Sequence, residues 1–155
     1  MVETTLSGAS HHILTNDYAS EWMGIEVLKL DDGHATIRMH LRQEMLNGFG
    51  MAHGGMIFAF GDTDLALACN PANPTPKQAA NITVASGVDI NFIKPAFQGQ
   101  VITAVANRRA STGRSGLYDI QIFAADADQP ESPTSGTPGE LVAEFRGRSR
   151  TIPKK

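Results

Sequence analysis

The sequence predicts an α+β domain in which one long, apolar helix packs against a curved antiparallel sheet. Three observations support this fold class. The length of 155 residues suits a single domain over 1–155. One long helical stretch is followed directly by four strand-like segments, without the strand–helix alternation of a doubly wound sheet. Fifteen Gly and eight Pro residues indicate many turns, which a helical bundle does not need.

Charge and composition exclude several classes of protein. The 13 Lys and Arg against 16 Asp and Glu give a formal net charge of −3, whereas nucleic-acid-binding domains usually carry a basic excess. No apolar run approaches the ~20 residues that span a bilayer, and the N-terminus lacks a signal-peptide pattern. The single cysteine, Cys69, excludes an internal disulfide and a thiolate metal cluster. We therefore predict a cytoplasmic protein without a nucleic-acid or membrane partner.

The first third of the chain predicts a short helix and a hairpin. Residues 1–9 are small and polar and are predicted to be disordered. A helix is predicted over 10–22, with Ser10 as N-cap and an apolar side formed by Ile13, Leu14, Tyr18 and Trp22. A strand begins at 25–27, and the turn residues Asp31, Asp32 and Gly33 follow it. The return strand has one buried face, because apolar residues alternate at Ala35, Ile37, Met39 and Leu41.

The central helix is predicted from Met56 to about Cys69, directly after a glycine-rich loop at 47–55. Apolar residues are spread around its circumference, so we expect it to be buried on most sides. The sheet around it should have about five or six strands.

Four strands are expected after a loop at 71–77. The first has five apolar residues predicted to share one face: Ile82, Val84, Val88, Ile90 and Phe92. The others are predicted at 101–106, 117–125 and 141–152, the last after a polar loop at 126–139. Edge strands and the outer helix surface then remain uncovered, which favours dimerisation by edge pairing.

Two glycines, Gly54 and Gly55, stand at the start of the central helix. A helix N-terminus offers unpaired N–H groups and a positive dipole end, and glycine lets a substrate carbonyl approach the backbone. Such a site can hold the oxyanion of an acyl-transfer reaction. The alternative is that the two glycines only make a turn.

Asp62 lies among apolar residues of the same helix. A carboxylate there is costly unless it is paired or functional. Both alternatives stand, and the nearby glycine pair favours a functional role. Asp64 lies two positions on, so it points to another side of the helix and is expected to be solvated or paired.

Other chemical patterns are weaker. His53 lacks the partner spacing of a metal site, so none is predicted, and we interpret it as fixing the loop. No Gly-x-Ser-x-Gly elbow or dinucleotide fingerprint occurs. The basic turn at 108–116 can hold a phosphorylated ligand, or it is a solvated hairpin tip.

Taken together, these motifs resemble those of hotdog-fold thioesterases, in particular the phenylacetic-acid-degradation subfamily. The resemblance covers about residues 20–152. It rests on the loop and helix residues Asn47, Gly48, Gly50, His53, Gly54, Gly55, Asp62 and Thr63, on the stretches 89–92 and 94–96, and on 113–114, 118–119 and 139–150.

The resemblance implies hydrolysis of acyl-CoA thioesters, with phenylacetyl-CoA or its ring-hydroxylated derivatives as the substrate class. Asp62 would be the catalytic carboxylate, Gly54 the oxyanion donor, Asn47 a polar group near the thioester or the attacking water, and His53 the support of the Gly54 turn. Gly55, Thr63, Arg114 and Ser115 are assigned to substrate binding. No metal or cofactor is expected, since coenzyme A is part of the substrate.

The helix geometry adds a requirement. Gly54 and Asp62 are eight residues apart, which is ~12 Å along one helix, so they act on one thioester only from different chains. We therefore predict a required homodimer, and the resemblance implies a homotetramer. Two alternatives are a non-catalytic acyl-CoA binding module and an enoyl-CoA hydratase. The absence of His between Gly54 and Cys69 counts against the hydratase.

Overall fold

A six-stranded antiparallel sheet forms the framework of the computed structural model, which describes residues 10–127 and 138–155. The strand order is β1-β2-β4-β5-β6-β3. The bounds are β1 Glu26–Asp31, β2 His34–His40, β3 Asn81–Phe92, β4 Gln100–Thr112, β5 Ser115–Asp126 and β6 Glu140–Pro153. The sheet and one main helix confirm the predicted α+β class and strand number.

The N-terminal helix predicted over 10–22 is wrong in form. The structure has a 3-10 turn at His12–Leu14 and a separate helix α1 at Tyr18–Met23, with Asn16 between them at a φ of +63°. The second helix starts anew because the Asp17 side chain accepts a hydrogen bond from the Ser20 N–H. Tyr18 and Trp22, expected on the buried side, are 72% and 50% exposed. The disorder predicted for 1–9 lies outside the described residues.

Helix α2, Gly54–Cys69, packs on one face of the sheet. Gly61 allows close contact, because a Cβ placed there would lie 2.8 Å from the Phe145 ring of β6. The buried residues of α2 are Ile57, Phe60, Gly61, Asp64, Leu65, Leu67 and Ala68. The opposite side of the helix is exposed at Phe58 and Asp62, so the prediction of burial on most sides is wrong for this face.

A short helix α3, Pro76–Ala79, begins within the segment 71–77 that was predicted to be a loop. Its start is a capping box in which the Thr75 and Gln78 side chains each bond the other residue's backbone N–H. None of the helices in residues 10–127 and 138–155 is long and apolar enough to cross a membrane.

The strand patterns of the sequence are confirmed in β2 and corrected in β3. Ala35, Ile37 and Met39 are fully buried. In β3, a bulge between Ala85 and Gly87 inserts an extra residue and reverses the alternation. Pairing with β6 therefore places Ile82 and Val84 on the opposite face from Val88, Ile90 and Phe92.

Strand β3 is an edge of the sheet, bonded to β6 on one side only. Several large apolar side chains on and beside it are exposed: Ile82, Val84, Phe92, Ile93 and Phe97. Both the β3 edge and the outer face of α2 are therefore uncovered in the protomer.

Candidate active site

The N-terminus of α2 leaves one backbone N–H free. His53 is the N-cap, and its Nδ1 accepts a hydrogen bond of 3.1 Å from the Gly55 N–H. The N–H groups of Met56 and Ile57 both donate to the His53 carbonyl oxygen, at 2.9 and 3.2 Å. Within the described part of the chain, Gly54 is the first-turn residue whose N–H has no acceptor. Its N–H is therefore free to donate a hydrogen bond to a ligand at the N-terminus of α2.

His53 holds this arrangement in place. Because its Nδ1 accepts from Gly55, the neutral ring carries its proton on Nε2. Its own N–H donates to the Met45 carbonyl at 2.8 Å, which ties the cap to the preceding segment. The structure thus places His53 as the support of the helix start.

Asn47 organises the loop that leads to the helix. Its Oδ1 accepts hydrogen bonds from the N–H groups of Phe49 at 2.9 Å and Met51 at 3.2 Å. Its N–H also donates to the Met51 carbonyl at 2.7 Å. The side-chain oxygen is thus used within the loop, and the Nδ2 amide is the group that remains for a ligand.

A cavity of about 300 Å³ opens beside Gly54. The ring of Phe92 reaches over Gly54, and a Cβ on this residue would lie 3.2 Å from Phe92 Cζ. A side chain at this position would require the Phe92 ring to move by a few tenths of an ångström, so glycine gives the ring room to lie over the helix start. The lining is mostly apolar: Met51, Ala52, Gly54, Ile57, Phe92, Ile93, Lys94, Pro95 and Ala96.

The two acids of α2 occupy environments opposite to those expected. Asp64, predicted to be solvated or paired, has no exposed surface, and both carboxyl oxygens lack a hydrogen-bond partner in residues 10–127 and 138–155. Asp62, predicted to lie in apolar surroundings, is exposed on the outer face of α2. The reason is the helical repeat: Asp64 shares the sheet-facing side with Phe60 and Leu67, and a residue two positions earlier faces away.

Electrostatics differ between the two acids as well. Complete burial raises the pKa of Asp64 well above its ordinary range. The pKa of Asp62 is also raised, first by partial desolvation and then by the negative charge of Asp17. Asp62 forms no hydrogen bond or ion pair with the described residues. It is an uncommitted carboxylate whose affinity for a proton is increased.

The residues assigned to substrate binding lie in two places. Gly55 and Thr63 are on α2, but the Gly55 N–H already bonds His53, and Thr63 Oγ1 lies 3.0 Å from Ser20 Oγ of α1. Arg114 and Ser115 lie at the β4–β5 turn, at the other end of the sheet. The protomer therefore does not bring all four residues together.

A second groove of about 590 Å³ adjoins the β4–β5 turn. Its lining is rich in hydroxyls and arginines: Ser86, Ala110, Ser111, Thr112, Ser115, Gly116, Leu117, Arg148, Ser149 and Arg150. Along β3, this groove is level with Val84, the partner of Arg150, whereas Gly54 is level with Phe92. Eight strand residues separate these levels by roughly 25 Å.

No cluster of three or more His, Cys, Asp or Glu side chains among the described residues has the arrangement of a metal site. The prediction of hydrolysis without a metal stays a prediction.

The comparison with protein families decides the relationship. A family model described as the thioesterase superfamily matches residues 49–131, which include the loop from Phe49 onward, all of α2 and strands β3 to β5. The chain belongs to the thioesterase superfamily. This confirms the relationship to hotdog-fold thioesterases that the motifs indicate.

Individual relatives of this thioesterase agree. It is 34% identical over 143 residues to the acyl-coenzyme A thioesterase PaaI of Escherichia coli, covering 92% of this chain and 89% of the relative. The solved structure of the E. coli PaaI protein from the phenylacetic acid degradation operon matches with a TM-score of 0.75 and 33% identity, over 91% and 88% of the two chains. A phenylacetic acid degradation protein of Thermus thermophilus matches with a TM-score of 0.70 and 27% identity, over 86% and 98%.

Two contributors to this thioesterase's site region were missed in the sequence. Phe92 was assigned to a strand face and to the stretch 89–92 of the resemblance but not to the site, and no local pattern shows that its ring lies over Gly54. Asp17 was placed inside a continuous helix, although Asp followed three residues later by Ser is compatible with an N-cap. This N-cap pattern is the sequence signal that identifies Asp17 as the start of a new helix.

Proposed function

We propose that this thioesterase hydrolyses acyl-CoA esters of the phenylacetyl class, including ring-hydroxylated phenylacetyl-CoA, to the free acid and coenzyme A. The observation that carries the proposal is the free N–H of Gly54 at the mouth of an apolar cavity. The cavity's volume of about 300 Å³ and its Met51, Ile57 and Phe92 lining suit a single aromatic ring. The E. coli relative's name, an acyl-coenzyme A thioesterase, supports the reaction class.

Each site residue has one task in this reaction. The Gly54 N–H donates to the oxyanion that forms when the thioester carbonyl is attacked, an effect worth about 3 kcal/mol. Asp62 either deprotonates the attacking water or attacks the carbonyl to give a mixed anhydride. The Nδ2 amide of Asn47 is left to orient the thioester or the water. This chemistry needs no metal or cofactor beyond the coenzyme A of the substrate.

The reaction requires two protomers. Gly54 and Asp62 lie ~12 Å apart along α2, which is too far for both to reach one carbonyl carbon. If two β3 edges pair antiparallel about a twofold axis, the two α2 helices also run antiparallel. Gly54 of one protomer then approaches Asp62 of the other. The exposed edge of β3 and the exposed Phe58 on α2 support this homodimer, and two such dimers would form the homotetramer.

The same pairing gives the groove at the β4–β5 turn a role. In one protomer it lies roughly 25 Å along β3 from Gly54, but an antiparallel copy of β3 brings it to the Gly54 end. The side chains of Arg114, Arg148 and Arg150 form no ion pair within the described residues, so they are available for phosphates. We therefore assign the phosphorylated end of coenzyme A to this groove, with Arg114 and Ser115 as contacts.

The test is thiol release from a panel of aryl- and alkyl-CoA esters, ranked by kcat/KM, with wild type and Asp62→Asn. We expect phenylacetyl-CoA and its hydroxylated forms to rank first. Asp62→Asn should lose at least ~10²-fold in kcat, because the group that activates water or attacks the carbonyl is gone.

Asp31→Asn is the matched control, since it removes an exposed carboxylate on the β1–β2 turn. Retention of more than about a tenth of kcat by Asp62→Asn contradicts the role of Asp62. Tight binding of the esters without any turnover by wild type identifies a binding module instead.

A further inference from the structure

A hydrogen-bonded chain connects the N-terminal helix to the residue next to Asp62. Asp17, the N-cap of α1, accepts from the Ser20 N–H at 3.0 Å through Oδ1 and from the Ser20 hydroxyl at 2.7 Å through Oδ2. Ser20 Oγ in turn lies 3.0 Å from Thr63 Oγ1 on α2. Three side chains thus form a relay from α1 to α2, and it ends one residue after Asp62.

The directions of these hydrogen bonds are fixed by chemistry. A carboxylate only accepts, so the Ser20 hydroxyl proton points to Asp17. Ser20 Oγ is then the acceptor, and the Thr63 hydroxyl is the donor. Because Ser20 is 1% exposed, water does not compete for these bonds. The relay holds Asp17 in a defined place on the outer face of α2.

Among the residues that the structure describes, few other charges act on this face. The negative charge of Asp17, the N-cap of α1, acts on Asp62. Glu21 is an acidic residue within α1 itself. On α2 itself, burial and then the negative charge of Asp62 raise the pKa of the Cys69 thiol. Asp64 lies on the opposite, buried side of the helix. Phe58 and Ala66, one turn before and after Asp62, are uncharged. Asp17 is therefore the nearby charge that a substitution can remove without changing α2.

We propose that Asp17 is a positioning residue of the active site: the Asp17–Ser20–Thr63 relay fixes its carboxylate near Asp62, and its negative charge makes Asp62 a stronger base. The inference rests on the proposed function of Asp62 and extends it to an element outside the loop and helix of the site. The repulsion between the two carboxylates raises the pKa of Asp62, so the ionised form accepts a proton from water more readily. The N-terminal helix is then part of the catalytic unit.

The test is the pH dependence of kcat/KM for Asp17→Asn. Asparagine is as good an N-cap as aspartate, so α1 is retained while the charge is lost. The acid limb of the profile should move to lower pH, because Asp62 loses a proton more easily without the repulsion. On that limb, the variant should keep a roughly two- to fivefold larger fraction of its plateau activity than wild type. KM should change little.

Two further variants separate charge from structure. Asp31→Asn removes a charge on the β1–β2 turn and should leave the acid limb in place. Ser20→Ala keeps the charge of Asp17 but breaks the relay, and it should shift the limb in the same direction by a smaller amount. If Asp17→Asn is poorly folded by circular dichroism, Asp17→Ser keeps an N-cap and serves instead.

An acid limb of Asp17→Asn that coincides with wild type overturns the proposal. If the acid limb moves in Asp17→Asn but stays in place in Ser20→Ala, the relay has no role in positioning. Only the charge of Asp17 then acts on Asp62. Failure of the proposed function looks different, because it appears as activity retained by Asp62→Asn. If Asp62→Asn is inactive and the limb of Asp17→Asn does not move, only the present inference fails.

Discussion

At the scale of single residues, two aspartates of α2 lie in different environments. Asp62 and Asp64 are two positions apart, which is about 200° around the helix axis, so they face nearly opposite directions. Asp62 reaches solvent and is uncommitted, whereas Asp64 is enclosed without a hydrogen-bond partner. Apolar residues surround both in sequence, so periodicity alone could not tell which side faces the sheet. The resemblance implies the role of Asp62, which stays a prediction, whereas the expectation that Asp64 is solvated or paired is wrong.

The buried Asp64 predicts an unusual pH dependence of stability. Its folded-state pKa is raised, so the folded protein holds a proton that the unfolded chain releases above about pH 4. The contribution of Asp64 to the free energy of unfolding should therefore be greatest below that pH. It should fall as pH rises toward the folded-state pKa, by up to about 1.4 kcal/mol per pH unit from this group.

Urea unfolding at several pH values and one fixed protein concentration measures this contribution. Asp64→Asn should become more stable relative to wild type as the pH increases from 5 to 8. Asp31→Asn, which alters an exposed acid, should show no such trend. Equal pH slopes in wild type and Asp64→Asn would contradict the prediction.

At the scale of elements, the start of α2 allows the oxyanion donor to be removed by itself. Gly54 is the first helical residue, where proline is favoured, and His53 has the extended ψ of 134° that a residue before proline prefers. Gly54→Pro should therefore keep the helix and delete the one free N–H. Gly54→Ala is the matched control, because it adds a Cβ against Phe92 and keeps the N–H.

We expect Gly54→Pro to have a kcat at least ~10²-fold below that of Gly54→Ala, since one oxyanion donor is lost. Steady-state kinetics on the same CoA ester measure the ratio, and circular dichroism checks the helix content. Similar kcat values for the two variants would show that the damage comes from the Cβ and that the N–H is not used.

The sequence predicts elements well where one rule governs them. Alternation identifies β2, and the turn at Asp31 to Gly33 follows from its residue types. It fails where a local feature interrupts a pattern: the bulge at 85–87 reverses the faces of β3, and the cap at Asp17 splits the N-terminal helix. Both features are single-residue choices between backbone states of similar energy, which tertiary contacts settle.

At the scale of the whole molecule, the candidate site is divided between the two ends of the protomer. The Gly54 cavity lies at one end of β3, and the groove beside the β4–β5 turn, which Ser115 and Arg150 line, lies near the other. The prediction that two chains form the site can be made from the sequence because it depends only on helix rise, and it stays a prediction. The order of strands, which makes β1 and β3 the two edges of the sheet, could not be predicted from the sequence.

The groove at the β4–β5 turn predicts a substrate-dependent defect. Arg114→Ala should raise KM for CoA esters, because a phosphate contact is lost, and should spare N-acetylcysteamine thioesters, which have no phosphate. Steady-state kinetics with both thioesters of one acyl group test this. An equal effect on both substrates would assign Arg114 to the structure or to the chemistry.

Shared active sites predict that two differently disabled chains rescue each other. One chain carries Asp62→Ala, and the other carries Asn47→Ala with Gly54→Pro. Each homodimer then has two inactive sites. A mixed dimer has one site with all the lesions and one site with none, because each site takes Asp62 from one chain and the Gly54 end from the other. After full exchange of a 1:1 mixture, about half of the dimers are mixed, and about a quarter of all sites are intact.

Activity recovered on mixing is measured against each parent at the same total concentration, once sizing and circular dichroism show that both parents are folded dimers. The expected recovery is about a quarter of wild-type activity per chain if the sites act independently. A mixture of two Asp62→Ala preparations is the control for exchange itself and should stay inactive. If a verified mixed dimer is no more active than its parents, Asp62 works with its own chain. Some other group of that chain would then have to stabilise the oxyanion, because Gly54 lies ~12 Å from Asp62 along α2.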